Sequence, residues 1–211
     1  MNLEEINTAA QNSGGVLYLM VILLFIGLTI AFERTWYLSY LTKKLKKIIK
    51  KIKVAKTLST QELDEAITQS KETPFYTILL SALRFNSVDK AQLSNQIEEE
   101  ILHNSEEIDK RMWALDSVVT LAPLLGLFGT IIGMFNSFKV LAVATSAPTQ
   151  VTGGIAEALL STASGIVVAM ICLIFFNGLN NRIDKIYEKM ESLKTMLVNK
   201  VDLTDSMKNN R

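Results

Sequence analysis

DSVVTLAPLLGLFGTIIGMFNSF, residues 116–138, decides the fold. No charged side chain lies between Asp116 and Lys139, so about 22 residues rising ~1.5 Å each reach across a hydrocarbon layer ~30 Å thick. The stretch predicts a transmembrane helix. Its composition is not that of a plain anchor: Pro123, Gly126, Thr130, Gly133 and Ser137 recur at steps of three and four. Helical geometry gathers them on one stripe, with Gly129 beside it, while Leu, Ile, Val and Phe cover the rest. A small, hydroxyl-bearing face in lipid expects protein or water against it.

Two further stretches are free of charge or nearly so. VLYLMVILLFIGLTIAF, residues 16–32, is long enough for a first span, and Glu33, Arg34, Trp36 and Tyr37 mark its exit through an aromatic interface. A third span begins near Ile155, ends near Phe176 and is followed by Asn177, Asn180, Asn181, Arg182 and Asp184. The formal charge is only +1, but the basic residues are segregated. The segment before residue 16 has no Lys or Arg, residues 33–116 have 14, the connection between spans two and three has only Lys139, and residues 178–211 have seven. By the positive-inside rule the middle region and the C-terminus face the cytoplasm.

The expected plan is therefore all-α: a polytopic membrane protein with three transmembrane helices, two of them extended into a cytoplasmic helical bundle. Residues 1–15 form an outward segment without the basic start of a cleaved signal peptide, so the N-terminus is expected to be retained. Spans occupy 16–32, 116–138 and 154–177. The region 33–115 is cytoplasmic, 139–153 is a short periplasmic loop with Pro148 and Gly153-Gly154, and 178–211 is a cytoplasmic helix and tail.

Helical signals run through the cytoplasmic parts. A weak amphipathic helix is expected over residues 2–11. TKKLKKIIKKIK, residues 42–53, sets lysines around Leu45, Ile48, Ile49 and Ile52 and reads as a basic helix attracted to lipid. Ser59 with Glu62 fits a capping box, Pro74 precedes FYTILLSALRF, and Asp89 is placed to cap a run to Trp113. Leu93, Ile97, Ile101, Ile108 and Met112 stripe that run, and no Gly or Pro separates it from span two, so one helix of over 40 residues is expected. A matching stripe, Ile183, Ile186, Met190, Leu193 and Leu197, suits packing on that stalk.

Glu157 is the only acidic residue between Asp116 and Asp184. A carboxylate inside a span costs roughly 2.5 kcal/mol or more near the bilayer centre and is expected to face protein or water. The other reading makes it a first-turn residue that complements the helix dipole at the headgroup level. Ser161 and Ser164 follow it on one face, and Ala158, Thr162, Gly165 and Ala169 form the next stripe. Such hydroxyls are often satisfied by the carbonyl one turn back. Two small, hydroxyl-rich spans joined by a short loop nevertheless define a candidate polar path, and two helices enclose a pore only with further copies around an axis.

Other chemistries are disfavoured. Cys172 is the sole cysteine and lies in an apolar stretch, and His103 is the sole histidine, so neither has a metal-binding partner. The GLFGTIIG glycines have the wrong spacing for a dinucleotide fingerprint. No catalytic residue, metal or cofactor is expected, and the basic run beside a span points to lipid rather than nucleic acid.

LAPLLGLFGTIIGMFNSF followed by GGIAEALLSTASGIVVAM resembles the MotA/TolQ/ExbB proton-channel family. The three-span plan is similar to its ExbB/TolQ branch, the ExbB-like members more than the TolQ-like ones. The resemblance implies a homopentamer in a bacterial inner membrane around a dimer of an ExbD- or TolR-like single-span protein. It also implies that proton-motive force passes to a TonB- or TolA-like protein acting on the outer membrane, in support of substrate import. It places proton-pathway roles on Thr130, Glu157 and Thr162, with Ser161 an additional hydroxyl where the family has alanine. Pro123, Gly126, Gly129, Gly133 and Gly165 then form a packing or pore face. A TolQ-like role in envelope maintenance and a non-conducting scaffold are the alternatives.

Overall fold

The computed structural model describes residues 15–54, 60–84, 90–143 and 148–208. Within them the chain is helical: α1 Val16–Val54, α2 Thr60–Ser70, α3 Phe75–Arg84, α4 Lys90–Ile108, α5 Met112–Val143 and α6 Pro148–Lys208. Among the described residues α1, α5 and α6 are long and apolar enough to cross a membrane. The expected helix over residues 2–11, the Ser59–Glu62 capping box and the Asp89 cap involve residues or side chains outside those described.

The chain divides into two units, Met1–Glu33 with Arg111–Gly178, and Arg34–Lys110 with Leu179–Arg211. In the first, burial is inverted relative to a soluble domain. Phe25, Phe135 and Ile174 are exposed, while Ala31, Ala122, Gly126, Gly129, Gly133, Ala158 and Gly165 are buried together with a few larger side chains such as Met20, Leu115 and Val168. Lipid removes the penalty on exposed apolar side chains, so close packing at small residues, rather than escape of apolar surface from water, brings the spans together. Gly27 of α1 takes part: a Cβ there would lie 2.7 Å from the Cys172 sulfur of α6. Cys172 accordingly sits buried as a small packing residue.

The second unit follows the usual rule. Leu38, Leu41, Leu45, Ile48 and Ile52 of α1, Phe75, Ile78 and Leu79 of α3, and Leu93, Ile97 and Ile108 of α4 are all buried. The α6 stripe Ile183, Ile186, Met190, Leu193 and Leu197 joins them. Spacing of three and four turns each set onto one helical face. Thr73 closes the α2–α3 corner by donating its hydroxyl to the Ser70 carbonyl at 2.7 Å, and α3 starts directly after Pro74. Asn104 of α4 donates to Thr77 at 2.7 Å, which ties α4 to α3. On the other side Tyr187 of α6 donates to the Asp109 carboxylate at 3.0 Å, and Lys194 pairs with Glu98 at 3.6 Å.

The long stalk expected ahead of span two is interrupted. α4 ends at Ile108, α5 starts at Met112, and Arg111 between them has a left-handed φ of 65°. No Gly or Pro announces the break. Its cause is tertiary: Arg34, only 2% exposed, donates to the main-chain carbonyls of Lys110 and of Glu107, the latter at 3.4 Å. A buried guanidinium thus satisfies acceptors that a helix end leaves without partners. The sequence suggests Arg34 as an interfacial charge; the fold buries it as a helix-end cap. Arg111 itself pairs with Glu33 at 2.6 Å, both residues lying in the first unit.

The two spans that continue without interruption are consequently the first and third, in α1 and α6, rather than the second. The connection between spans two and three also differs from the expected loop. α5 continues to Val143 and α6 begins at Pro148, where a missing N–H is harmless. Gly153 and Gly154 lie inside α6 rather than in a turn.

Candidate functional site: the α5–α6 seam

α5 and α6 meet along a seam in which each glycine is matched to a group that would occupy the space of a side chain. A Cβ at Gly165 would lie 2.5 Å from the Ala122 carbonyl oxygen, one at Gly126 would lie 3.0 Å from the Thr162 Cα, and one at Gly133 would lie 2.8 Å from the Ala158 Cβ. At Gly129 and Gly154 it would overlap the hydroxyls of Ser161 and Ser137. The contacts step along α5 as they step back along α6, which is antiparallel packing. The periodicity of small residues in both sequences produces this: positions three and four apart share a face.

Close approach brings hydroxyls and carbonyls into a shared interior. Thr162 Oγ1 donates across the seam to the Gly126 carbonyl at 3.1 Å. That carbonyl is reachable because Gly126 has no side chain to cover it. Thr130 is 6% exposed and donates to Leu127, one turn back, at 2.7 Å. Ser137 and Ser164 do the same with Gly133 and Leu160 at 2.9 and 2.8 Å. Each of these hydroxyls keeps oxygen lone pairs for a further donor.

Ser161 differs. It is 0% exposed, and its Oγ makes no hydrogen bond within the structure. A buried hydroxyl without a partner costs roughly 1–3 kcal/mol. Ser161 therefore keeps a donor and an acceptor ready in the middle of the seam, opposite Gly129.

Glu157 and Thr162 are half-buried, and five residues place them about 140° apart around α6. They flank the seam on opposite edges, with Ala158 and Gly165 between them facing α5. Glu157 shares its edge with Ser164. α6 starts at Pro148, so Glu157 stands in the third turn of the helix, beyond the first turn where dipole effects act. Pro123 lies inside α5, one residue beyond the Ala122 that touches Gly165. A proline there removes one main-chain donor from the helix.

No group of three or more His, Cys, Asp or Glu is placed to hold a metal among the described residues. His103 is exposed on α4. Arg34 and the break it caps were not signalled as structural by the sequence. The one available clue was a basic residue directly after a span that is followed by Trp36 and Tyr37, a setting shared by many solvated arginines.

The fold defines an all-helical, multi-pass membrane protein whose last two spans pack through glycines and carry hydroxyls in their seam. The chain belongs to the MotA/TolQ/ExbB proton channel family, whose pattern matches residues 60–192, a family of channels rather than enzymes. It is 26% identical over 190 residues to an ExbB homologue of Methanothermobacter thermautotrophicus named for biopolymer transport, covering 87% of this chain and 66% of that protein. It is 27% identical over 170 residues to an ExbB-like biopolymer transport protein of Synechocystis, covering 79% and 67%. A shorter match, 38% identical over 82 residues, joins it to the Tol-Pal system protein TolQ of Haemophilus influenzae, covering 38% and 36%. The chain thus spans about two thirds of the length of its ExbB-like relatives.

Proposed function

We propose that this chain is the channel subunit of an ExbB-like motor in a bacterial inner membrane, with its N-terminus periplasmic and its C-terminus cytoplasmic. Five copies surround a dimer of a single-span partner similar to ExbD or TolR. Proton flow through the assembly drives a TonB- or TolA-like protein and so supports import across the outer membrane. The observation that carries this reading is the seam: Ser161 buried without a partner, and Thr162 bonded to a carbonyl bared by Gly126.

The chemistry follows from those groups. The partner supplies the carboxyl that alternates between charged and neutral forms, since an isolated charge in low dielectric is strongly disfavoured. Thr162, on an edge of α6, hydrogen-bonds that carboxyl or its water, and Ser161 and Thr130 stand behind it as second acceptors and donors. Glu157, on the opposite edge, tunes the entrance. The glycines fix the helix spacing on which these distances depend.

A TolQ-like role in envelope maintenance is the second reading, favoured by the higher local identity to TolQ; the longer coverage by ExbB-like relatives supports the first. Co-expression with an ExbD- or TolR-like single-span protein, followed by proton flux in proteoliposomes and an import assay in cells lacking the endogenous motor, tests the proposal. Flux with restored import is expected. A complex that assembles and passes no protons is a scaffold, and one that conducts but rescues only envelope integrity is TolQ-like.

A further inference from the structure

α1 carries a face that the channel reading does not use. From Thr35 to Val54 it has no acidic residue and seven lysines, Lys43, Lys44, Lys46, Lys47, Lys50, Lys51 and Lys53. Two of them are engaged on the side toward the rest of their unit, Lys44 with Glu72 at 3.8 Å and Lys51 with Glu65 at 3.6 Å. Lys43, Lys46, Lys47 and Lys50 are exposed and make no ion pair among the described residues.

The apolar stripe that these lysines surround is not free to lie on a membrane. Leu45, Ile48 and Ile52 are buried in the helical unit. What α1 offers outward is a ribbon along one edge: Trp36, Tyr40, Lys43, Lys47 and Lys50 follow at steps of three and four. Trp36 is 82% exposed, so its ring is unused by the fold. Aromatic rings favour the headgroup level, and lysines just beyond them meet phosphate oxygens.

The direction of the side chains matters. Every Cα–Cβ bond of a helix tilts toward the N-terminus, and the N-terminal half of α1 is the part that lies within the bilayer. Lysines after the span therefore lean back toward the bilayer. Lys44 displays this reach, with its ammonium 4.7 Å from the centre of the Tyr40 ring one turn earlier. Starting at Val16, ~30 Å of hydrocarbon ends about 20 residues on, near Thr35, and a headgroup layer of about 5–7 Å extends to the level of Tyr40. Lys43 and Lys47 stand within one to two turns of that level, inside the range of a lysine that snorkels. Lys46 adds charge from the flank. Burial and the neighbouring ammonium groups of Lys46 and Lys185 lower the pKa of Lys189 on α6, where Glu188 offers partial compensation. This excess of positive charge is incompletely neutralised by the protein itself.

We propose that the ribbon Trp36, Tyr40, Lys43, Lys47 and Lys50 is a binding site for anionic phospholipid headgroups of the leaflet into which the first span emerges. The occupant is a lipid rather than an acidic protein segment because the ribbon begins with aromatic rings and because its lysines point back along the helix toward the span. The site selects lipid by charge and leaves the α5–α6 seam untouched.

The sequence contains two tryptophans, Trp36 and Trp113, so Trp113→Phe leaves Trp36 as a reporter inside the proposed site. The full-length variant is reconstituted in phosphatidylcholine vesicles containing phosphatidylglycerol, with one lipid at a time carrying brominated chains that quench tryptophan. At equal mole fraction, brominated phosphatidylglycerol is expected to have a roughly threefold higher apparent affinity beside Trp36, a preference that shrinks as salt screens the charges. Changing Lys43, Lys47 and Lys50 to Gln together should return the ratio to near one. All three are exposed, so folding is expected to be retained, as checked by thermal unfolding. Equal quenching by the two lipids in the parent protein overturns the proposal, as does a preference that survives the triple substitution. A preference removed by an added acidic peptide but not by salt identifies a protein partner instead and also overturns it.

Discussion

Gly165→Ala is a one-carbon perturbation whose sign the structure dictates. In an ordinary helix, alanine in place of glycine adds up to about 1 kcal/mol of stability. At Gly165 the added carbon would stand 2.5 Å from the Ala122 carbonyl oxygen and 3.1 Å from the Gly126 Cα, which belong to backbone that has no rotamer to change. Relief requires α5 and α6 to part locally by nearly 1 Å, given an ordinary contact of about 3.5 Å. Overpacking of this kind costs about 1–3 kcal/mol. Parting also stretches the 3.1 Å bond from Thr162 to the Gly126 carbonyl beyond hydrogen-bonding range, a further loss of about 0.6 kcal/mol for a typical interhelical bond in a membrane. Gly153 and Gly178 of the same helix have nothing within 4 Å of the added carbon, so alanine there is neutral or mildly stabilising. The buried Cys172 is the only thiol and provides the assay: a maleimide dye that fluoresces on thiol reaction follows unfolding as detergent-solubilised protein is heated. Gly165→Ala is expected to lower the midpoint by roughly 5–10 °C, and Gly153→Ala and Gly178→Ala to leave it unchanged or raise it slightly. Equal midpoints for all three variants would refute the close-packed seam.

Ser161→Ala removes the buried hydroxyl that lacks a partner, so the thermal midpoint should stay level or rise by the equivalent of about 1 kcal/mol while proton flux falls. Arg34→Met strips the main-chain carbonyls of Glu107 and Lys110 of their donor; a destabilisation of about 2–3 kcal/mol is expected, read as faster trypsin cleavage after Lys110 and Arg111. Tyr187, beyond the third span, is pushed above the usual phenol range by burial first and then by the Asp109 carboxylate to which it donates. Its contribution to stability is therefore fully present below the unfolded phenol value of about 10 and is lost as pH rises above it. Alkaline titration of phenolate absorbance should lose its highest step in Tyr187→Phe, and the stability of that variant should fall less between pH 9 and pH 12 than that of the parent.

The three spans were legible because lipid imposes a simple demand: uncharged stretches such as residues 117–138 have no soluble alternative of that length. The buried stripe of Leu45, Ile48 and Ile52 and that of Ile186, Met190 and Leu193 follow from period alone. The break at Asp109–Arg111 was not legible, because neither Gly nor Pro marks it and its stabilising partner, Arg34, lies over seventy residues away. Gly153-Gly154 read as a turn because glycine has two unrelated uses, and the second applies at Gly154, where Ser137 fills the space of a side chain. In the seam, spacing assigns Thr130, Ser161 and Thr162 to faces but not their hydrogen bonds. Ser161 without a partner and Thr162 bonded to Gly126 depend on how closely two helices approach, a distance that no single helix encodes.

Proton flux under an imposed gradient, measured with a pH-sensitive dye in proteoliposomes holding the chain and the proposed single-span partner, tests the central claim most directly. Thr162→Val keeps the shape of the side chain and removes the hydroxyl that bonds to the Gly126 carbonyl. Combined with Ser161→Ala, it should leave assembly intact and reduce flux at least tenfold, about 1.4 kcal/mol on the barrier. Flux equal to that of the parent from an equally assembled complex would contradict the account.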